Sequence, residues 1–172
     1  LKGLDMVATV SPFDTFHYPR IAQLTQRSNQ FNLRTVRYTE QEIADIAADD
    51  KYITLYFTLR DKFGDHGLIS AVIMEKQEDR LFVNTWLMSC RVLKKNMEYA
   101  MLDTLVKECK DRSIDTIIGH YYPTAKNGMV KNLFNDFGFE KTFEGEDGTT
   151  EWKLSVTDYQ NKNSVIKVNT EE

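Results

Sequence analysis

The sequence predicts an α+β domain in which a mixed, mostly antiparallel sheet carries helices on both faces. Two observations lead to this prediction. Strand-like segments at 52–60 and 67–76 are joined by a short polar turn, as in a hairpin. A third strand at 81–88 leads through a short loop into a helix at 97–112 and then into a strand at 115–122. A strand–helix–strand crossover requires a parallel pair, so the sheet is mixed.

The N-terminal third is expected to be mainly helical. Residues 1–19 are predicted to form an irregular arm, and Pro19 favours the first turn of a helix that ends near Asn29. The β-branched residues within 34–38 predict a short strand. The segment Thr39–Glu42 has the spacing of a capping box, which predicts the start of a second helix.

The C-terminal third predicts one more helix and two closing strands. Apolar residues repeat at helical spacing before Gly138, which is expected to end the helix in a left-handed conformation. Two strands follow, one from residue 139 and one over 149–156. Residues 157–172 are predicted to be a polar tail that either frays or adds an edge strand. The globular domain is therefore expected to span 20–156.

Composition limits the classes of function. The chain has 172 residues and a formal net charge of −4, which argues against nucleic acid as a partner. It contains no apolar run of the roughly 20 residues that span a bilayer, and no signal peptide is visible. We therefore expect no membrane association and a cytoplasmic location. Two cysteines and three histidines without metal-ligand spacing predict neither a disulfide nor a metal site.

The junction between the strand at 81–88 and the following helix is the strongest candidate for a ligand site. Free backbone N–H groups and the positive end of the helix dipole meet there, and both favour a phosphate. An ordinary strand–helix connection without a ligand is the alternative, and Arg91 fits a surface side chain equally well. The residues predicted to bind a cofactor are Met88, Ser89, Arg91, Lys94, Lys95, Asn96 and Met97.

Two junctions resemble those of the GNAT acyltransferase superfamily. Arg91-Val-Leu-Lys-Lys-Asn96 resembles the family pattern Gln/Arg-x-x-Gly-x-Gly/Ala, with Lys94 and Asn96 at the two glycine positions. In that family the N–H groups of the loop hold the pyrophosphate of an acyl-CoA. Asn127 and the segment 134–140 resemble a later helix of the family and its aromatic-x-x-x-Gly-Phe ending. The resemblance implies a GNAT-like fold with one parallel strand pair near an acyl slot.

A closer resemblance covers nearly the whole chain. Five blocks are similar to the C-terminal, GNAT-like half of FkbH-like proteins, namely 23–35, 37–39, 59–67, 86–93 and 122–127. Those proteins dephosphorylate 1,3-bisphosphoglycerate and load the glyceryl group onto an acyl carrier protein, which feeds methoxymalonyl-type extender units into polyketide assembly. The resemblance implies an acyl carrier protein as partner. It also implies an acyl-CoA or phosphopantetheine thioester as substrate, with no tightly bound cofactor.

One half of such a protein is missing from this chain. The haloacid-dehalogenase-type half requires an early Asp-x-Asp, and no Asp-x-Asp occurs in the sequence. Together with the start at Leu1, this absence indicates an isolated C-terminal domain. We therefore expect an N-terminal haloacid-dehalogenase-type domain as a further partner.

Three residues are candidates for catalysis. Cys90 ends the strand beside the presumed pantetheine slot, where its thiol could face a thioester, or it is simply a small residue at a strand end. His66 next to Asp65 could act as a general base. Adjacent residues in a strand point to opposite faces, which separates the two side chains. Both residues could instead stabilise a turn. Asn127 is either a helix N-cap or a ligand of the acyl group.

Side chains that could bind the acyl group are mostly amides. Asn29, Gln30 and Asn32 suit a neutral, hydroxyl-bearing group such as glyceryl, although turn formation at the helix end explains them as well. Asp65 and His120 are assigned to the same site. A position at the edge of the core is the alternative for His120, which lies on the strand expected to flank the acyl slot.

Two functions follow from these assignments. The first is an acyltransferase whose backbone donors stabilise the developing oxyanion. The second is a non-catalytic module that binds a carrier protein through Lys94 and Lys95, while the chemistry stays in the missing half. A scaffold without ligand is the third alternative. The acyltransferase is the preferred reading.

Overall fold

The computed structural model describes residues 1–170, in which eight strands form one sheet. The strands are β1 (Val7–Ser11), β2 (Tyr52–Asp61), β3 (Gly64–Gln77), β4 (Arg80–Met88), β5 (Thr116–Tyr121), β6 (Glu140–Glu144), β7 (Thr150–Ser155) and β8 (Lys167–Thr170). The helices are α1 (Tyr18–Arg27), α2 (Glu40–Ala48), α3 (Met97–Asp111) and α4 (Leu133–Asp136). The strand order is β6-β7-β5-β4-β3-β2-β1-β8.

The sheet separates two apolar layers. Helices α1 and α2 cover one face, where Ile21 and Ile43 join a cluster with Ile73 of β3. Helix α3 covers the other face, where Met101 joins a larger cluster with Val72 of β3. Val72 and Ile73 serve opposite layers because successive side chains of a strand alternate between faces. The predicted α+β fold with helices on both faces is confirmed.

Local signals place several helix ends correctly. The capping box at the start of α2 is formed, since Thr39 Oγ1 accepts from the N–H of Glu42 at 3.1 Å and Glu42 Oε1 accepts from the N–H of Thr39 at 3.0 Å. Gly138 ends the α4 region with a φ of 87°, as predicted. Helix α4 is shorter than its apolar pattern suggests, because the segment before it forms a separate 3₁₀ turn over Gly128–Val130.

Strands β4 and β5 form the predicted parallel pair. Their ladder runs only from Arg80↔Thr116 to Phe82↔Ile118, and beyond it the two strands diverge towards Met88 and Tyr121. All other contacts among β2 to β7 are antiparallel. A second parallel pair, β1 with β8, was not predicted.

Two predictions about the N-terminal third are wrong. The arm over 1–19 is not irregular, because β1 pairs with β2 and with β8 and buries Ala8 and Val10 in the core. Local sequence does not reveal those distant partners. The strand expected at 34–38 is irregular chain, since Thr35 takes a φ of 49° that bends the backbone. In the predicted tail, β8 forms an edge strand, which was one of the two alternatives. Residues 171–172 of that tail lie outside the described residues.

Candidate functional site

The loop from β4 to α3, residues 89–96, contains two residues in the left-handed conformation. Lys94 has a φ of 68° and Asn96 a φ of 61°, at the two positions where the GNAT pattern has glycine. A left-handed conformation costs a non-glycine residue about 1 kcal/mol or more. Asn96 makes no side-chain cap hydrogen bond to α3. The first N–H groups of α3 therefore face this loop without a side-chain cap.

A carboxylate, Asp61 at the end of β2, anchors this loop to the β2–β3 hairpin. Its side chain is 1% exposed, and it accepts hydrogen bonds from His66 Nε2 at 3.0 Å and Lys95 Nζ at 3.2 Å. The N–H of Phe63 also donates to it, at 2.9 Å. The hydrogen bond from His66, followed by those from Phe63 and Lys95, holds the pKa of Asp61 far below its usual range. Arg91 completes the anchor by donating to the carbonyl of His66 at 3.2 Å.

His66 does not pair with Asp65. Strand β3 begins at Gly64, so the turn is shorter than predicted and His66 lies in the strand. Asp65 Oδ1 accepts from the N–H of Gly67 at 2.7 Å, the turn-stabilising role that the sequence left open. The two neighbours point to opposite faces, as strand geometry requires. The pairing of His66 with Asp61 was not predicted, because nothing in the local sequence indicates it.

The cations at this loop are not equally available. Arg91 and Lys94 are exposed, whereas the side chain of Lys95 is 20% exposed and engaged by Asp61. Glu98 lies in the first turn of α3, where burial raises its pKa. Arg91 and Lys94 are therefore the cations that an anion at the loop would meet, and Lys95 acts mainly in anchoring.

The opening between β4 and β5 is occupied by the segment Phe31–Leu33, which follows α1. The N–H of Met88 donates to the carbonyl of Phe31 at 3.0 Å, and the N–H of Leu33 donates to the carbonyl of Trp86 at 3.2 Å. On the other side, the N–H of Tyr122 donates to the carbonyl of Leu33 at 2.8 Å. The N–H of Met88 is therefore not free for a ligand, because a segment distant in sequence supplies its partner.

Asn127 holds this segment in place. Its Oδ1 accepts from the N–H of Thr124 at 2.8 Å and the hydroxyl of Tyr121 at 3.2 Å. Its Nδ2 donates to the carbonyls of Asn32 and Tyr122, both at 2.9 Å. These four bonds use every donor and acceptor of a buried amide. They leave nothing for an acyl group. Asn127 does occupy the N-cap position of the 3₁₀ turn over Gly128–Val130, as predicted, but its side chain makes no cap hydrogen bond there.

The other predicted amides divide into two groups. Asn32 is fully buried, with Oδ1 accepting from the N–H of Thr35 at 2.9 Å and Nδ2 donating to the carbonyl of Ser28 at 3.1 Å. It is structural, as the turn-forming alternative implied. Asn29 and Gln30 instead line a surface cavity. Gln30 is exposed, whereas Asn29 accepts a hydrogen bond from Arg37.

A surface groove runs from the end of β4 along α1, and we call it the Cys90 groove. Two cavities of about 490 and 540 Å³ form it, and they share Arg27, Ser28 and Cys90. The first cavity contains Asn29, Gln30 and Met88. The structure therefore brings these three predicted site residues together around the exposed, free thiol of Cys90. The second cavity adds Ser89, Arg91 and a residue of α1 that the sequence analysis missed, Arg20.

Arg20 and Arg27 could have been found from their spacing. They lie seven residues apart on α1, and residues seven apart share a helix face. From the sequence alone, both arginines look like ordinary surface residues. Only the fold shows that β4 ends opposite the helix face that carries them.

His120 is not a lining residue of the Cys90 groove. Its Nε2 lies 3.2 Å from Glu151 Oε2 on the neighbouring strand β7, and its ring stacks on Tyr122 with centroids 6.0 Å apart. The guanidinium of Arg34 lies 5.6 Å from the centre of the same tyrosine ring. The core-edge alternative describes His120 better than an acyl-site role.

Residues 1–170 contain no group of three or more His, Cys, Asp or Glu side chains that could hold a metal ion. Within the same range, no helix has the length and apolar character to cross a membrane. The second cysteine, Cys109, is buried in the core, and burial raises its pKa to about 12.

Comparisons with known proteins identify the fold. No protein-family model matches the sequence, and no curated protein is significantly similar to it. The ribosomal-protein-S18-alanine N-acetyltransferase from Escherichia coli superposes with a TM-score of 0.65 at 17% identity, over 92% of this chain and 99% of that one. The GNAT domain of PAT from S. lividans gives 0.65 at 17% identity, over 85% and 89%.

A third solved structure is the PaiA N-acetyltransferase from Thermoplasma acidophilum in complex with coenzyme A. It gives a TM-score of 0.64 at 10% identity, over 86% of this chain and 98% of that one. At such identities these likenesses establish the GNAT acetyltransferase fold.

Proposed function

We propose that this GNAT-fold domain is an acyltransferase that handles an acyl or glyceryl thioester on a phosphopantetheine arm, carried by CoA or by an acyl carrier protein. One observation carries the proposal. Lys94 and Asn96 hold the β4–α3 loop in a left-handed shape although neither is glycine. These are the two positions where the GNAT pattern has glycine, so the loop takes at both of them the backbone conformation that glycine favours, which supports a phosphate-binding loop of the same kind.

The phosphate of the arm would lie at the N-terminus of α3, with Arg91 and Lys94 supplying positive charge. The arm would follow the edge of β4 that the segment Phe31–Leu33 now covers, towards the Cys90 groove, where the acyl group would lie. A ligand of this class is supported by the Thermoplasma acidophilum N-acetyltransferase of the same fold, which is described in complex with coenzyme A.

The resemblance to FkbH-like proteins supports the biological setting. It favours a role in forming methoxymalonyl-type extender units, with an acyl carrier protein and a haloacid-dehalogenase-type domain as partners. The predicted cytoplasmic location belongs to the same proposal.

Catalysis requires a movement of the segment Phe31–Leu33. The N–H of Met88 is the donor at the end of β4 that would stabilise a thioester oxyanion, and the carbonyl of Phe31 now occupies it. In the acyltransferase, the thioester carbonyl replaces the Phe31 carbonyl at this N–H.

The same hydrogen bond favours a second candidate function, a non-catalytic module that binds the carrier protein. The segment Phe31–Leu33 is held by Asn127 and bonds to both diverging strands. If it stays in place, the phosphate of a carrier arm can still reach Arg91 and Lys94, but no thioester can reach Met88. The chemistry would then belong to the missing domain.

Titration calorimetry with CoA, acetyl-CoA and phosphopantetheine tests both functions. Binding at millimolar concentration or below is expected, and its absence for all three ligands contradicts both. Hydrogen exchange at the Met88 amide then separates them. The acyltransferase predicts that acetyl-CoA changes the protection of this amide more than CoA does, because the acyl carbonyl exchanges with that of Phe31. The binding module predicts unchanged protection.

A further inference from the structure

The arginines of the Cys90 groove have no acidic partner within residues 1–170. Arg20, Arg27 and Arg91 line the same cavity of about 540 Å³. None of the ion pairs among the described residues involves any of the three. Three guanidinium groups that face one cavity without a carboxylate make it a strongly positive site.

The hydrogen bonds of these arginines reach only neutral acceptors. Arg20 donates to Gln23 Oε1 at 2.9 Å and to the carbonyl of Leu68 at 3.2 Å. Arg91 donates through Nε to Ser89 Oγ at 3.3 Å. The charges of all three arginines therefore stay uncompensated, while hydrogen bonds orient Arg20 and Arg91.

The like charges are close enough to act on one another. The pKa of Arg20 is lowered chiefly by burial. The positive charges of Arg91 and, to a smaller extent, Arg27 lower it further. This repulsion is unfavourable in the free domain, and an anion between the three groups would relieve it. Guanidinium groups bind carboxylates with two parallel hydrogen bonds, which makes arginine the side chain suited to such an anion.

The two cavities of the groove differ in their lining. Asn29, Gln30 and Met88 line one, Arg20 and Arg91 line the other, and Arg27 and Cys90 line both. The N–H of Met88 is the proposed thioester donor, so an acyl group bound there lies in a cavity that Arg27 also lines.

We propose that Arg20 and Arg27 in the Cys90 groove bind a carboxylate on the acyl chain, with Arg91 left to the phosphate of the arm, so that the domain selects thioesters of dicarboxylic acids over neutral ones. The inference rests on the proposed function, because the acyl group enters the groove only if the arm lies along β4. It differs from the expectation of a neutral glyceryl group that the amides suggested.

Titration calorimetry with malonyl-CoA and acetoacetyl-CoA tests this selectivity, because the two acyl groups differ mainly in a carboxylate against a methyl ketone. Malonyl-CoA is expected to bind about tenfold more tightly. Arg27→Gln changes an exposed side chain and should abolish most of this preference while leaving acetoacetyl-CoA affinity within about twofold. Arg20→Gln should act in the same way. Arg80→Gln, at the opposite end of β4, is the matched control and should change neither affinity.

Equal affinity of the wild-type domain for the two thioesters overturns the inference and leaves the proposed function intact. Equal weakening of both thioesters by Arg27→Gln also overturns it, because the arginines would then hold a phosphate of CoA. If the wild-type domain binds no CoA thioester at all, the proposed function is contradicted, and the inference that rests on it fails as well. Thermal unfolding monitored by circular dichroism confirms that each variant is folded.

Discussion

Two polar regions lie beside the end of β4, and they differ in how their polar groups are satisfied. The segment Phe31–Leu33, with Asn32 and Asn127, is buried and bonded to the chain's own main-chain groups. The Cys90 groove is open, and its arginines face no acidic side chain among residues 1–170. In the sequence the amides looked like the ligand-binding group. The structure shows that Asn32 and Asn127 are architectural, because buried amides must find partners within the fold, whereas Asn29 and Gln30 line the groove.

The largest expected effect is on the buried region. Asn127→Ala removes four hydrogen bonds and leaves the carbonyls of Asn32 and Tyr122 without their donor. We expect a loss of about 3 kcal/mol in the free energy of unfolding, measured by urea denaturation. Asn135→Ala changes an exposed amide of α4 and serves as the control, with an expected effect within about 0.5 kcal/mol. A loss below about 1 kcal/mol for Asn127→Ala would show that the segment is not held as described.

The anchor at Asp61 predicts the acid sensitivity of the β4–α3 loop. The pKa of Asp61 is lowered on folding, chiefly by its hydrogen bond from His66, so its contribution to stability is present above the unfolded pKa of about 3.9. That contribution is lost as pH falls below this value. Asp61→Asn should therefore lower the unfolding midpoint in urea at pH 7 and reduce the further loss between pH 5 and roughly pH 3. If the variant loses as much stability as the wild type over this pH range, Asp61 does not anchor the loop as described.

Charge reversal at the loop should weaken binding rather than folding. Lys94→Glu places a negative charge where the phosphate is proposed, and we expect about a tenfold loss of CoA affinity that shrinks as salt is raised. Lys107→Glu, on an exposed turn of α3, is the control for net charge. Lys95 is a poor choice, because a glutamate there would face Asp61 and disturb the anchor. Identical affinities for the two Lys→Glu variants would show that the loop does not hold the phosphate.

The smallest expected effect concerns backbone strain. Lys94→Gly should raise the free energy of unfolding by about 1 kcal/mol relative to Lys94→Ala, because only glycine accepts the φ of 68° without cost. Both variants remove the same charge, so the difference between their urea midpoints isolates the backbone. Ser113 has a φ of 57° outside the site, and Ser113→Gly compared with Ser113→Ala gives the reference value. No difference at Lys94 would mean that the loop is not strained there.

Much of the fold was predictable because its signals are local. The capping box of Thr39 and Glu42, the left-handed cap at Gly138 and the junction before α3 each depend on a few neighbouring residues. The pairing of β1 with β8 was not predictable, since it joins segments at opposite ends of the chain. Distant pairing leaves no pattern in either strand alone.

The site was predicted less well for the same reason. Cys90 and Arg91 were singled out because they follow directly from the end of a recognisable strand, and both line a groove there, while their roles stay predictions. The occupation of the β4–β5 opening by Phe31–Leu33 and the bond between Asp61 and His66 depend on which segments meet in space. Sequence spacing alone does not determine those meetings.

The most direct test of the account follows the backbone amides of the β4–α3 loop by nuclear magnetic resonance during a CoA titration. The account predicts that the largest chemical-shift changes fall on Lys95 to Glu98, with little change at the C-terminal end of α3. Saturating binding that leaves these amides unmoved, with the shifts elsewhere in the domain, would contradict it.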